Sequence, residues 1–181
     1  NSTVATNDNW STGGNSNQTA AVMTRVGAFT LASNALDAAV VANLTPGSYS
    51  AVISGKTNAT GIALMETYDA ATTTTSARLI NMSARTQVGT GAAILIAGFA
   101  SSGDAPKQVL IRASGPSLAQ FGVAGVLADP QLEIFRQGSS TPIQQNDNWL
   151  SAPNVAQLGL VSAQVGAFTL PVNSRDSVLL V

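Results

Sequence analysis

Short apolar segments separated by turn-forming residues dominate the hydrophobic pattern of the chain. In one of these segments, residues 131–136, Leu132 and Ile134 alternate with Glu133, as expected for a strand with one buried face. Turn signals such as Thr45-Pro46-Gly47 interrupt the apolar runs. The pattern predicts an all-β fold, a β-sandwich of Greek-key or jelly-roll type. The predicted strands cover residues 48–54, 61–68, 77–83, 92–99, 107–113 and 131–136.

Helical patterns are scarce, and we expect at most one or two short helical turns. Pro116 to Phe121 predicts one turn, because Ser114 can cap it and Pro116 stands near its first position. Residues 154–164 predict another short helix. The counterpart of that segment, residues 15–25, is rich in Ser, Asn and Thr and favours a helix less.

An internal repeat joins the two ends of the chain. The motif Asn7-Asp8-Asn9-Trp10 recurs as Asn146-Asp147-Asn148-Trp149, which lies 139 positions later. Val26 to Leu31 recurs as Val165 to Leu170 at the same spacing and without a gap. Residues 1–42 are therefore equivalent to residues 140–181, and we interpret the spacing as an internal duplication.

The repeat predicts how the chain is divided. Residues 1–71 are interpreted as the C-terminal part of one repeat unit, residues 72–76 as a Thr-rich hinge, and residues 77–181 as the N-terminal part of the next unit. The alternative is two independent domains, of which one is truncated. The first residue is Asn and no signal peptide precedes it, which indicates a start that was processed or cut from a longer chain.

The equivalence of the two ends also predicts contacts between units. Val181 aligns with Ala42, inside the apolar run Asp37 to Leu44 that is typical of a strand. A sheet that stops there is incomplete, so we expect either a continuing chain or a neighbouring copy to complete it. The predicted assembly residues are Asp37, Val40, Val41, Asp176, Val178, Leu179, Leu180 and Val181.

The composition narrows the range of functions. Charged residues make up 9% of the chain, against about 25% in ordinary soluble domains, and the net charge is −1. We therefore expect no nucleic-acid partner, and a weakly charged surface of this kind does little to repel copies of itself. The chain has no Cys and no His, which excludes disulfides, thiolate or imidazole metal sites and His-dependent catalysis. No apolar run reaches the ~18 residues of a membrane span.

The Asn-Asp-Asn-Trp motif is the strongest candidate for a binding site. Asp8 and Asp147, flanked by Asn side chains, could supply oxygen ligands to Ca²⁺. The alternative is an Asx turn whose Trp covers the edge of the core. Trp10, Tyr49 and Trp149 could likewise stack on sugars or belong to the core.

No group of residues predicts an enzyme. A catalytic serine near Ser114 would need Lys107 or Lys56 as its base. A carboxylate pair would have to combine Glu66 and Glu133 from separate strands. Arg112, which lies in an apolar strand, is expected instead to pin a turn by pairing with a carboxylate, and the candidates are Asp129, Glu133 and Glu66.

One stretch of the chain resembles a known kind of repeat. The residues from Val109 to Leu118, Leu127 to Pro130 and Asn146 to Trp149 resemble a tandem repeat unit of large secreted or cell-surface proteins of environmental, Verrucomicrobia-like bacteria. Leu44 to Tyr49 also resembles the β-sandwich domains found at the C-terminus of secreted bacterial proteases. These resemblances imply secretion, modularity and a β-sandwich, and they bring no catalytic residue with them.

The sequence as a whole predicts a structural protein. We expect a repeat or subunit of an extracellular filament or surface fibre, whose units complete one another's sheets. Its partners would be copies of itself or adjacent repeats in a linear array, with no cofactor. The alternative is an adhesin or carbohydrate-binding module that presents a site for surface glycans.

Overall fold

The computed structural model describes residues 2–12, 14–72 and 78–181. The chain divides into two compact units, residues 1–79 and residues 80–181. Most of the predicted Thr-rich hinge, residues 73–76, lies outside the described residues. No helix in the described part of the chain is long and apolar enough to cross a membrane.

The predicted all-β sandwich is wrong. The described residues contain two α-helices, α1 (Ser16–Val26) and α2 (Val155–Gln164), so helix is more extensive than the one or two short turns expected. They contain four short strands in two separate two-stranded sheets. The strands are β1 (Leu110–Ala113), β2 (Leu132–Phe135), β3 (Pro142–Asn146) and β4 (Ser177–Leu180).

Four of the predicted strands do not form. Residues 48–54, 61–68, 78–83 and 92–99 carry no ladder pairing, and only the last range overlaps a 3-10 turn, Gly91–Ala93. A strand exists only where a second strand accepts and donates its backbone hydrogen bonds, and these segments have no such neighbour among the described residues. Their large apolar side chains remain exposed, as at Val52, Ile62 and Ile96.

The two helices form where the repeat places them, 139 positions apart. The predicted helix at residues 154–164 and the predicted turn at Pro116–Phe121 are confirmed. Helix α1 forms despite its Ser and Asn residues, because Ala20, Ala21 and Met23 are good helix formers. Each helix is followed by a glycine with positive φ, Gly27 at 73° and Gly166 at 69°, a conformation that glycine adopts without steric cost.

The core of the second unit lies between α2 and β4. Ala152, Leu158, Val178 and Leu180 are buried together, and Leu110 of β1 packs against them. Strands β1 and β4 pair antiparallel with Leu110 opposite Leu180. Strands β2 and β3 form the other antiparallel pair, with an irregularity between Ile134 and Phe135.

Candidate functional site

The two copies of the repeated segment adopt the same local structure. In each copy the Trp backbone N–H donates to the backbone carbonyl of the Asp that begins the last apolar run, over 2.8 Å from Trp10 to Asp37 and over 2.8 Å from Trp149 to Asp176. The indole N–H of Trp10 donates to the carbonyl of Ala32, and that of Trp149 to the equivalent carbonyl of Pro171. The repeated sequence thus specifies a repeated fold of the backbone.

The first Asn of the motif holds the last apolar run in both copies. The side-chain oxygen of Asn7 accepts from the N–H of Ala39, and that of Asn146 accepts from the N–H of Val178. Both distances are 3.1 Å. Backbone hydrogen bonds on one side of the run are therefore made within its own repeat, and the backbone groups on the other side can pair with a strand.

In the second copy, β1 occupies that other side. The pairing continues one residue beyond the strands, where Val109 and Val181 exchange two backbone hydrogen bonds of 2.7 and 3.0 Å. The run is buried as a result, with Leu179 and Leu180 only 3% and 5% exposed. The predicted assembly residues Asp176, Val178, Leu179 and Leu180 all lie along this paired edge, and Val181 ends it.

Asp176 is the polar centre of the paired edge. Its side chain is fully buried, and one carboxylate oxygen accepts from the N–H groups of Gly115 (2.8 Å) and Ser117 (3.3 Å). The other oxygen accepts from the Ser117 hydroxyl. Burial alone would raise the pKa of Asp176, but these hydrogen bonds to the charged form hold the pKa below its ordinary value. The turn after β1 is thus locked onto the start of β4.

Arg112 lies on β1, opposite β4, and contributes to the same junction. The prediction that it forms an ion pair with a carboxylate such as Asp129 is wrong. Instead of meeting Asp129, its guanidinium lies 4.2 Å from the centre of the Phe168 ring. Phe121 meets the same ring edge to face at 5.0 Å. Burial lowers the pKa of Arg112, and the nearby Asp176 carboxylate opposes that shift. Phe168 is therefore covered on two sides, by Arg112 of β1 and by Phe121 of the turn that follows.

In the first copy the equivalent edge is open. Val40 and Val41 are 52% and 41% exposed, and Asp37 is exposed as well. Phe29, which corresponds to Phe168, is 56% exposed. No strand among the described residues pairs with this edge.

The structure supports the predicted calcium site less well than the strand edge. Lys56 forms an ion pair with the Asp8 carboxylate, so one predicted calcium ligand already has a cationic partner. Asp147 lines a shallow pocket beside Gln145 and Pro153. Nowhere in residues 2–12, 14–72 and 78–181 do three or more His, Cys, Asp or Glu side chains cluster as metal ligands would. The arrangement of Asp8 and Asp147 resembles a turn more than an ion site.

The aromatic residues considered for sugar stacking are engaged within their units. Trp10 is buried, and Trp149 packs against the core of the second unit. The Tyr49 hydroxyl donates to the carbonyl of Thr45, which holds its ring over the turn at Gly47. These contacts favour the core interpretation for Trp10 and Trp149, whereas Tyr49 is 48% exposed and does not belong to the core.

Sequence reasoning missed Gly115, Ser117 and the two aromatic rings as parts of the edge. It treated the Ser-Gly-Pro-Ser stretch as a possible nucleophile, although a Pro at the start of a predicted turn leaves nearby backbone N–H groups free to bind an anion. The acceptor for these N–H groups was also visible in the sequence, as an Asp that begins an apolar run in both copies of the repeat. Nothing in the sequence alone connected the two, because they lie 61 residues apart.

Comparison with models of protein families, with curated proteins and with solved structures finds no match. The resemblance of residues 109–149 to bacterial surface repeats therefore stays a prediction from the sequence.

Proposed function

We propose that this chain is a structural repeat of an extracellular filament or surface fibre, in which strand edges are completed by neighbouring repeat units. The observation that carries the proposal is the unequal state of two equivalent edges. The edge at residues 176–181 is filled by β1, whereas the edge at residues 37–42 pairs with no strand among the described residues and exposes apolar side chains. An edge of this kind is a template for another strand.

The surface chemistry supports association. Only 9% of residues are charged, and the net charge of −1 provides little repulsion between copies. The unpaired run contains no Lys, Arg or Pro from residue 38 to residue 44, which are the residues that natural edge strands use to prevent pairing. The proposed role needs no cofactor and places the protein outside the cell.

Immuno-electron microscopy tests this function. Antibodies raised against the chain are expected to label fibres on the outside of intact source cells, and the mass of the fibre protein under denaturing conditions then separates one giant polypeptide from many subunits of about 18 kDa. Labelling confined to the cell interior, or labelled material without fibres, would contradict the proposal.

A further inference from the structure

We propose that the open edge of the first unit binds residues 109–121 of a neighbouring repeat unit, in the register that β1 adopts on β4. This inference rests on the proposed function and identifies its contact. The occupant is inferred from the chain itself, because the second copy of the same edge is filled by this segment. The acceptor consists of Asp37, the run 38–42 and Phe29.

The backbone of the acceptor is ready for pairing. The register of β1 on β4, moved by the repeat spacing, sets Ile111 opposite Val40 and Leu110 opposite Val41. The N–H of Ala39 is already bound by Asn7, just as that of Val178 is bound by Asn146. The remaining side of the run therefore faces the incoming strand.

A pocket beside the run suits the leading apolar side chain of the donor. Trp10, Thr19, Ala39 and Val41 line it. In the second unit the equivalent residues Trp149, Leu158, Val178 and Leu180 surround or belong to the core cluster on which Leu110 packs. Leu110 of the incoming segment is thus expected to enter this pocket and to bury it.

Asp37 supplies the polar part of the recognition. It occupies the position of Asp176, whose carboxylate binds the N–H groups of Gly115 and Ser117 and the Ser117 hydroxyl. A carboxylate at this point favours a donor strand that is followed directly by a turn with free backbone N–H groups, such as those of Gly115 and Ser117. It also fixes the register, because a slip by two residues would bury the charge without partners.

Phe29 extends the acceptor towards the end of the donor. Its equivalent, Phe168, lies under the Arg112 guanidinium and against the Phe121 ring. Phe29 is exposed because no such residues reach it. The donor segment carries both residues, so the same binding event covers this ring.

The chain's own β1 does not leave β4 to fill the open edge. In the second unit this segment is held by the β1–β4 ladder, by the two hydrogen bonds between Val109 and Val181, and by the N–H groups of Gly115 and Ser117 on Asp176. The donor therefore comes from another repeat unit.

The test adds a labelled synthetic peptide with the sequence of residues 107–121 to the full chain and measures binding by fluorescence anisotropy. We expect saturable binding at one site per chain. Asp37→Asn should weaken binding about tenfold or more, since hydrogen bonds to a charged group contribute more than neutral ones. Val40→Lys should weaken it similarly, whereas Val52→Lys, the same change at a site that is 86% exposed outside the edge, should leave it unchanged.

The register is tested by disulfide formation, for which a chain without cysteine is convenient. A peptide with Leu110→Cys should crosslink to the chain variant Val41→Cys, because this pair lies between hydrogen-bonded positions where the strands approach closely. Val40→Cys, whose side chain points to the other face, should crosslink far less. Efficient crosslinking to Leu180→Cys instead would mean that the peptide displaces β1.

Each outcome decides a separate point. Absence of peptide binding, or binding that Asp37→Asn and Val40→Lys leave unchanged, would overturn the inference. If fibres are nevertheless labelled on cells, the proposed function stands and its contact lies elsewhere. If the peptide binds in register but no fibres exist, the edge is a true acceptor and the proposed function is wrong.

Discussion

Replacing Asp176 by Asn removes the charge at the junction of β1 and β4 and changes the shape of the side chain very little. The carboxylate accepts three hydrogen bonds, from the N–H groups of Gly115 and Ser117 and from the Ser117 hydroxyl. A hydrogen bond to a charged group contributes about 1 kcal/mol more than a neutral one, so the loss is about 3 kcal/mol. Because a buried amide is less costly to desolvate than a carboxylate, we expect the free energy of unfolding of the second unit to fall by about 2 kcal/mol.

The matched control is Asp37→Asn, the same substitution at the exposed position of the first copy. It should change stability by less than about 0.5 kcal/mol, as surface substitutions usually do. Urea unfolding followed by tryptophan fluorescence measures both effects. In a Trp10→Phe background the remaining Trp149 reports on the second unit, where it packs against the core.

The loss of stability caused by Asp176→Asn should also depend on pH. The folded-state pKa of Asp176 lies below its ordinary value, so the carboxylate adds stability that is fully present above its unfolded pKa of about 3.9. That stability is lost as the pH falls through the folded-state pKa. The difference between the wild-type chain and Asp176→Asn should therefore shrink as the pH is lowered from about 6 to about 3. Equal effects of Asp176→Asn and Asp37→Asn, or a deficit that persists undiminished in acid, would refute the reasoning.

Three further predictions concern the second unit. Gly115→Ala should destabilise it by more than about 2 kcal/mol in the same urea assay, because the added Cβ would lie 2.1 Å from the carbonyl oxygen of Leu127, whereas Gly159→Ala, in open space on α2, should stabilise it by up to about 1 kcal/mol. Phe168→Leu should lower the unfolding midpoint by removing the stacking of Arg112 and Phe121, and the matched Phe29→Leu should not; equal shifts would show that these rings contribute only by their area. Arg175→Leu, which introduces the residue found at position 36, should cost less than about 1 kcal/mol, and this cost should decrease in 1 M salt if the exposed ion pair with Asp129 is its cause.

The local elements were the part of the fold most open to prediction. Pro116 at the first position of a turn and the helix-favouring residues of 154–164 act over a few neighbouring residues, and both segments fold as predicted. The strands at residues 48–54 and 61–68 were predicted from the same kind of local pattern and do not form. A strand depends on a distant partner for its hydrogen bonds, so an apolar segment alone does not determine it.

The sequence by itself determined the repeat, the residues of the candidate edge and the low charge that favours association. Tertiary structure alone decided which copy of the edge is a strand. Val178 to Leu180 and Ala39 to Val41 are equivalent runs, yet only the first is paired, because β1 lies within reach of it. The same proximity buries Asp176 against Ser117 and sets Arg112 over Phe168. Hydrogen bonds and ring contacts between residues far apart in sequence form only after the chain has brought them together, and no local pattern encodes them.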